Sequence, residues 1–340
     1  MDNIEIYVLF FKPYFLANRA MTTFVEKCTN DLWSDLSEVD LFPFSRPMLA
    51  HYTSVETLAK IMANDELWLS HPLLMNDDQE MKWGLVEGQT QFRNHSGLRQ
   101  ACNCMSGGYD VLAQAFESKF DEFATTHAYD TYVACFCKHE PGDTDGLLSM
   151  WRGYGANGGG AAIVLDTGKL VAADGSPLVL APVTYESTVQ RQNWVATKLD
   201  KLAISIQSEK PSHDELRAIA GAFVDRLKMF ALFTKHTGFS EEREWRLVYM
   251  RDRDPKGLYE SMLSYTISPT GISPKFKLPL KRNMVEELLD LSITSLVSSI
   301  LIGPTAGDAL SVMSIKRMLC QTGKPELVGR VKTSSTPFRK

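Results

Sequence analysis

Neither sign of charge dominates this chain: 36 Lys and Arg stand against 41 Asp and Glu, a formal charge of −5 over 340 residues. That balance gives no chain-wide electrostatic footprint for nucleic acid, although a local basic patch stays compatible with it. Cysteine is scarce. The six are Cys28, Cys102, Cys104, Cys135, Cys137 and Cys320, and no pair has the two-to-four-residue gap of a structural zinc site. Cys135 and Cys137 also fall inside an apparent strand, Tyr132 to Cys137, where small buried thiols are common, so no metal is expected. No export signal precedes the cysteines, which predicts reduced thiols and a cytoplasmic location. The apolar run Ile4 to Leu16 has Asp2 and Glu5 where a signal peptide is positive, and Lys12-Pro13 interrupts it before it would span a bilayer. No membrane partner is therefore expected. Internal repeats, low-complexity tracts and long linkers are also missing. The economical organisation is an N-terminal extension, residues 1–46, packed on a single α+β domain over residues 47–340.

What is present is densest between Leu49 and Glu80. Leu49 to Thr53 alternates, which puts His51 and Thr53 on one face of a strand and Ala50 and Tyr52 on the other. Ser54 is the expected N-cap of a helix with Glu56 in its first turn and an apolar stripe of Leu58, Ile61 and Met62. Asn64-Asp65 breaks the pattern, and Leu67 to Ser70 returns as a bulky apolar strand. His71-Pro72 ends it, followed by the polar cluster Asn76-Asp77-Asp78 with Glu80.

Residues 81–129 read as mainly helical, broken at Ser106-Gly107-Gly108, and 187–232 as one or two helices interrupted near Pro211. Leu180 to Tyr185 reads as a strand, with others around 263–267, 275–278, 299–302 and 327–331. Helices are expected over 282–292 and 307–321. The run Trp151-Arg152-Gly153-Tyr154-Gly155 continues to Gly158-Gly159-Gly160. It precedes a strand, whereas a phosphate-binding loop follows one and opens a helix, so these glycines predict a turn. Trp151 and Tyr154 beside it would either wall a ring-binding cleft or pack in the core.

Glu242 to Met250 reads as a strand. Period-two geometry turns Glu242, Glu244, Arg246 and Val248 away from Arg243, Trp245, Leu247 and Tyr249. Two carboxylates and a guanidinium in a row fit a solvated face with ion pairs, or a carboxylate held at a cleft by its Arg neighbour. Acids are unusual mid-strand, which gives the second reading its motive.

Several stretches together resemble a bacterial family catalogued as domain of unknown function 2971. They are His51-Tyr52-Thr53-Ser54 with Leu67-Trp68-Leu69-Ser70, Asn76-Asp77 with Glu80, Cys135-Phe136, Met150-Trp151, and Tyr154-Gly155. Lys235-His236-Thr237-Gly238-Phe239 with Glu242-x-Glu244-Trp245-Arg246, Ile300 to Pro304, and Ser335 to Arg339 continue the series. Asp78, Cys137 and Phe338 depart from the proline, serine and tyrosine common in the family. The opening strand–helix–strand also looks like the start of ADP-ribosyltransferase-fold enzymes.

That second resemblance implies a mixed or antiparallel sheet core of ADP-ribosyltransferase type, with large helical insertions at 81–129 and 187–232. It implies NAD as substrate, with His51 and Thr53 holding the adenosine side. Tyr154, or its rival Tyr52, would stack on nicotinamide, and Glu244 would be the catalytic carboxylate. Glu242 would orient an acceptor, a protein or nucleic acid. Arg246 would orient the carboxylate or bind a diphosphate. Asn76, Asp77 and Glu80 would order the flanking loop. The activity so implied is ADP-ribosyl transfer or NAD hydrolysis, as a toxin or antiviral effector in phage defence. The alternative is a non-catalytic nucleotide- or partner-sensing module of a bacterial defence or stress system. On this reading Glu244→Gln abolishes turnover and leaves folding almost unchanged.

Overall fold

The computed structural model describes residues 8–9, 22–74, 78–170, 176–268, 271–280 and 292–338. After β1 (Val8–Leu9) comes α1 (Thr23–Trp33), whose N-cap Thr22 accepts from the Val25 amide. The chain then forms β2 (Met48–Thr53), α2 (Val55–Asn64) and β3 (Glu66–Ser70). Ser54 Oγ accepts from the Thr57 amide at 3.1 Å, and Leu58, Ile61 and Met62 are buried. Asp65, at φ 55°, stops α2 in the left-handed conformation.

Next come α3 (Asp78–Asn94), α4 (Ser96–Cys102), α5 (Gly108–Thr125) and β4 (Thr131–His139). They lead to α6 (Leu148–Gly153), β5 (Ala161–Asp166), β6 (Leu178–Pro182) and β7 (Thr184–Glu186). The long helices α7 (Thr188–Glu209) and α8 (His213–Phe233) each open on a capping box, Ser187 with Gln190 and Ser212 with Glu215. Lys210, at φ 48°, ends α7 just before Pro211. The C-terminal part holds β8 (Thr234–His236), β9 (Glu244–Met250), β10 (Leu263–Ser268) and β11 (Gly271–Pro279). It closes with α9 (Ile293–Leu296), β12 (Val297–Ile302), α10 (Ala309–Gln321) and β13 (Val331–Thr333).

Three expectations need revision or fall elsewhere. The strand expected over 180–185 is two, β6 and β7, parted at Val183. The one expected over 327–331 is a 3₁₀ turn, Pro325–Arg330, that delivers the chain into β13; Pro325 at its start suits a helical turn and not a ladder. Residues 281–291, most of the helix expected over 282–292, lie outside the described residues.

Eleven of the described strands form one mixed, mostly antiparallel sheet, ordered β1-β6-β9-β4-β2-β5-β12-β13, with β3, β11 and β10 branching from β4. The fold is α+β. One face of the sheet, through Val133, Val179, Val248 and Met250, packs on α1, α3, α4, α5, α7 and α8. On the other face Phe136, Leu247, Tyr249 and Phe276 pack with Leu58, Ile61 and Met62 of α2 and with Ile315 and Leu319 of α10. The branch positions the site. One edge of β4 pairs with β9 from Thr131 to Cys137. The opposite edge is shared, with β2 against Cys137–His139 and β3 meeting it at Val133. Between those pairings the sheet is split, because α2 carries the chain from one arm to the other.

Candidate functional site

A cavity of about 280 Å³ opens at this split. Its size is at the small end of the range usual for small-molecule sites. His51 and Tyr52 border it from β2, Trp68 and Ser70 from β3, and residues 133–136 from β4. Tyr154 and Met150, the end of α8, and Lys235, Glu242, Glu244 and Arg246 complete the wall.

The charged side is a closed network. Arg246 Nε donates to Glu244 Oε1 at 2.8 Å and its Nη2 to Oε2 at 3.2 Å, while Nη1 donates to the Leu232 carbonyl at 2.7 Å. Lys235 Nζ reaches Glu242 Oε2 at 2.8 Å and Glu244 Oε2 at 3.3 Å, and lies 4.6 Å from the Phe239 ring centroid. Tyr154 donates its hydroxyl to Glu242 Oε1 at 3.0 Å. The Cys135 thiol adds a hydrogen bond to Glu244, and the Glu244 amide donates to the Tyr185 hydroxyl at 2.7 Å. Burial by itself would raise the Glu244 pKa. The Arg246 guanidinium and then Lys235 outweigh it and bring the carboxyl down to about 2. Burial likewise works against the Lys235 ammonium, but Glu244 and Glu242 hold it protonated well beyond its ordinary range.

These facts correct the solvated-face reading, since Glu244 is only 4 % and Arg246 7 % exposed. They also correct the placement of Glu242. The strand begins at Glu244, and Glu242 ends a 3₁₀ turn, Thr237–Glu242, with Arg243 at φ 43° reversing the backbone between them. Glu242 reaches the cavity through that turn and not by strand alternation. Arg243 pairs instead with Glu140 at 2.9 Å.

At the other end His51 Nδ1 lies 3.0 Å from the Cys135 carbonyl, which can only accept, so this nitrogen carries the proton. Burial lowers the His51 pKa, partly offset by that hydrogen bond, and the ring is neutral at pH 7. It tilts against Phe136 at 5.7 Å. Tyr52 borders the cavity but is mostly buried: its hydroxyl accepts from the Leu147 amide at 2.9 Å, and its ring meets Trp151 edge-on at 4.9 Å. Trp151 is core, fully buried with Nε1 donating to the Asp145 carbonyl at 2.7 Å, while Tyr154 is 37 % exposed at the mouth. Thr53 does not line the cavity. Its carbonyl lies where a Cβ on Gly160 would come within 2.2 Å, so the glycine turn serves close packing of backbones. Asn76 and Asp77 lie outside the described residues, as does the side chain of Glu80.

The structure thus brings His51, Tyr52, Tyr154, Glu242, Glu244 and Arg246 to one cavity and leaves Thr53 out. Sequence reasoning gave no site role to Lys235, Cys135 or Tyr185, although the first two stand in the family-like stretches. The one available signal was Lys235 itself, a cation directly after the apolar end of α8, where an unpaired charge would be costly. Among the described residues no group of three or more His, Cys, Asp or Glu is placed to hold a metal ion, and no helix is long and apolar enough to cross a membrane.

The split sheet and its cavity define an α+β protein with a small buried-acid pocket. The model of a family described as "Protein of unknown function (DUF2971)" matches residues 150–247. That stretch runs from α6 into β9 and carries Tyr154, Lys235, Glu242, Glu244 and Arg246, but not His51. No curated protein and no solved structure matches the chain.

Proposed function

We propose that the cavity binds NAD and cleaves its nicotinamide–ribose bond, in an ADP-ribosyltransferase-type fold acting as a transferase or glycohydrolase. The supporting observation is the convergence of His51, Tyr154 and Glu244, from three distant parts of the chain, on one cavity. In the reaction the C1′–N bond breaks and its electron pair leaves with nicotinamide. The ribose becomes cationic, and the ionised Glu244 carboxylate stabilises that charge in a site shielded from water. Water, or a nucleophile of an acceptor, then adds to C1′ and gives its proton to Glu242. Tyr154 supplies the aromatic wall for the departing ring, and His51 accepts from a ribose hydroxyl through Nε2 in its neutral form.

One observation favours a second reading, binding without turnover. Both Glu244 oxygens are already engaged by Arg246 and Lys235, which weakens the field the carboxylate offers a cation. Labelled NAD separates the two. Nicotinamide release by the wild-type protein, lost in a folded Glu244→Gln variant, supports the enzyme. Calorimetric binding of NAD with no release above that variant, with water, protein, DNA or RNA as acceptor, establishes the sensor instead.

A further inference from the structure

We propose that Lys275 and Lys277 form an anion subsite on the rim of the cavity, made for a phosphoryl group carried by the small nucleotide that enters it. This inference rests on the nucleotide reading above and adds where the ligand's negative charge goes.

The placement follows from strand register. β11 runs antiparallel to β3 with Lys275 opposite Ser70 and Lys277 opposite Trp68. Residues directly opposite share a face of the sheet, and both Ser70 and Trp68 line the cavity. Lys275 Nζ donates to Ser70 Oγ at 2.7 Å, and Lys277 Nζ lies 4.5 Å from the Trp68 ring centroid. Each lysine is half-buried.

Their partners set them apart. The buried ammonium of Lys198 meets Asp35 at 2.7 Å, Lys235 meets Glu242 and Glu244, and Lys324 meets Asp65 at 2.9 Å. Lys228 is held between Asp225 and Asp252. Lys275 has a hydroxyl where those have a carboxylate, and neither it nor Lys277 forms an ion pair among the described residues. Burial lowers the Lys275 pKa, with no charged group among the described residues to oppose it. A partly dehydrated cation without a counter-charge destabilises the free protein, and an incoming anion relieves that cost.

The rest of the cavity fixes the polarity. Arg246 and Lys235 are neutralised by Glu244 and Glu242. Among the described residues, the positive charge beside the cavity without an ion pair is therefore that of Lys275 and Lys277, which flank its lining residues Ser70 and Trp68. The acid on that face, Glu66, accepts from Trp68 Nε1 at 2.8 Å. A dinucleotide with a cationic ring and anionic phosphates is oriented by this asymmetry, ring toward Glu244 and phosphate toward Lys275. Trp68, already under a cation, adds a flat apolar surface beside the phosphate.

The test uses the full-length protein and four probes: inorganic pyrophosphate, ADP-ribose, nicotinamide riboside and a single-stranded oligonucleotide. Pyrophosphate should shift the Lys275 side-chain NMR resonances and raise the pH at which they titrate. Lys275→Gln should weaken ADP-ribose about tenfold or more, leave nicotinamide riboside unchanged, and recover in Lys275→Arg. Equal ADP-ribose affinity in folded wild type and Lys275→Gln overturns the subsite, as does a dependence on Lys275 shown only by the oligonucleotide. The two claims fail separately. Pyrophosphate seated at Lys275 without NAD binding or release sinks the NAD reading alone. NAD release unaffected by Lys275→Gln, at unchanged KM, sinks the subsite alone.

Discussion

Lys235 meets two carboxylates with one ammonium, so its removal changes both. In Lys235→Met, Glu242 and Glu244 face each other across the vacated position with no ammonium between them. We expect a loss of about 3 kcal/mol or more in urea unfolding at pH 7, the cost of breaking a buried pair from one side, with most of it restored in Lys235→Arg. A Met variant as stable as the wild type would show that the bridge contributes nothing. Glu244 carries a second expectation. Its folded-state pKa of about 2 lies below the ordinary 4.5, so its stabilisation is complete above about pH 4.5 and is lost as pH falls toward 2. On the order of 3 kcal/mol is linked to that protonation. Wild-type urea midpoints should therefore drop between pH 5 and pH 3, and Glu244→Gln should flatten that stretch while being less stable at pH 5. Strand alternation alone implied a substitution neutral for folding; we expect a cost instead, because two buried cations pair with this carboxylate.

At the level of elements, the glycine turn after α6 holds three segments together. Gly160 donates to the Gly155 carbonyl and accepts from Gly303, and Thr305 donates to Gly158. A Cβ at Gly160 would sit 2.2 Å from the Thr53 carbonyl and 2.9 Å from the Gly155 backbone, neither of which can rotate away. Gly160→Ala should cost at least about 1–3 kcal/mol in thermal unfolding and loosen ligand affinity by displacing Tyr154. Gly153→Ala, with nothing within 4 Å of its added methyl, should stay within roughly 0.5 kcal/mol of wild type. What was legible in the sequence is the local chemistry. Ser54, the break at Ser106 to Gly108, and the stop before Pro211 are set by residues that touch their own neighbours. Strand alternation also placed Glu244 and Arg246 on one face. It failed at Glu242, where a left-handed Arg243 ends the periodicity, and period two carries no sign of such a reversal. The partners of Lys235 were beyond reach for another reason: they come from a turn and a strand whose pairing is set by the whole sheet.

Over the whole molecule, the feature that makes the site is a ladder with two partners on one edge of β4. Cys135 lies between the β2 and β3 pairings, and its carbonyl is turned into the gap toward His51. In an extended strand a residue's N–H and C=O point to the same edge, so the Cys135 amide faces the gap as well. The Cys135 amide of this central strand therefore faces the cavity and not a neighbouring strand. Deuterium should replace its proton well before the amide proton of Leu247, bonded to β4, and that of Val248, bonded to β6, without unfolding of the sheet. A ligand filling the cavity should slow that single exchange and leave its neighbours unchanged. Mass spectrometry of peptides spanning 131–139 would read this directly, as a timing difference at one bond that reports occupancy before any product is formed.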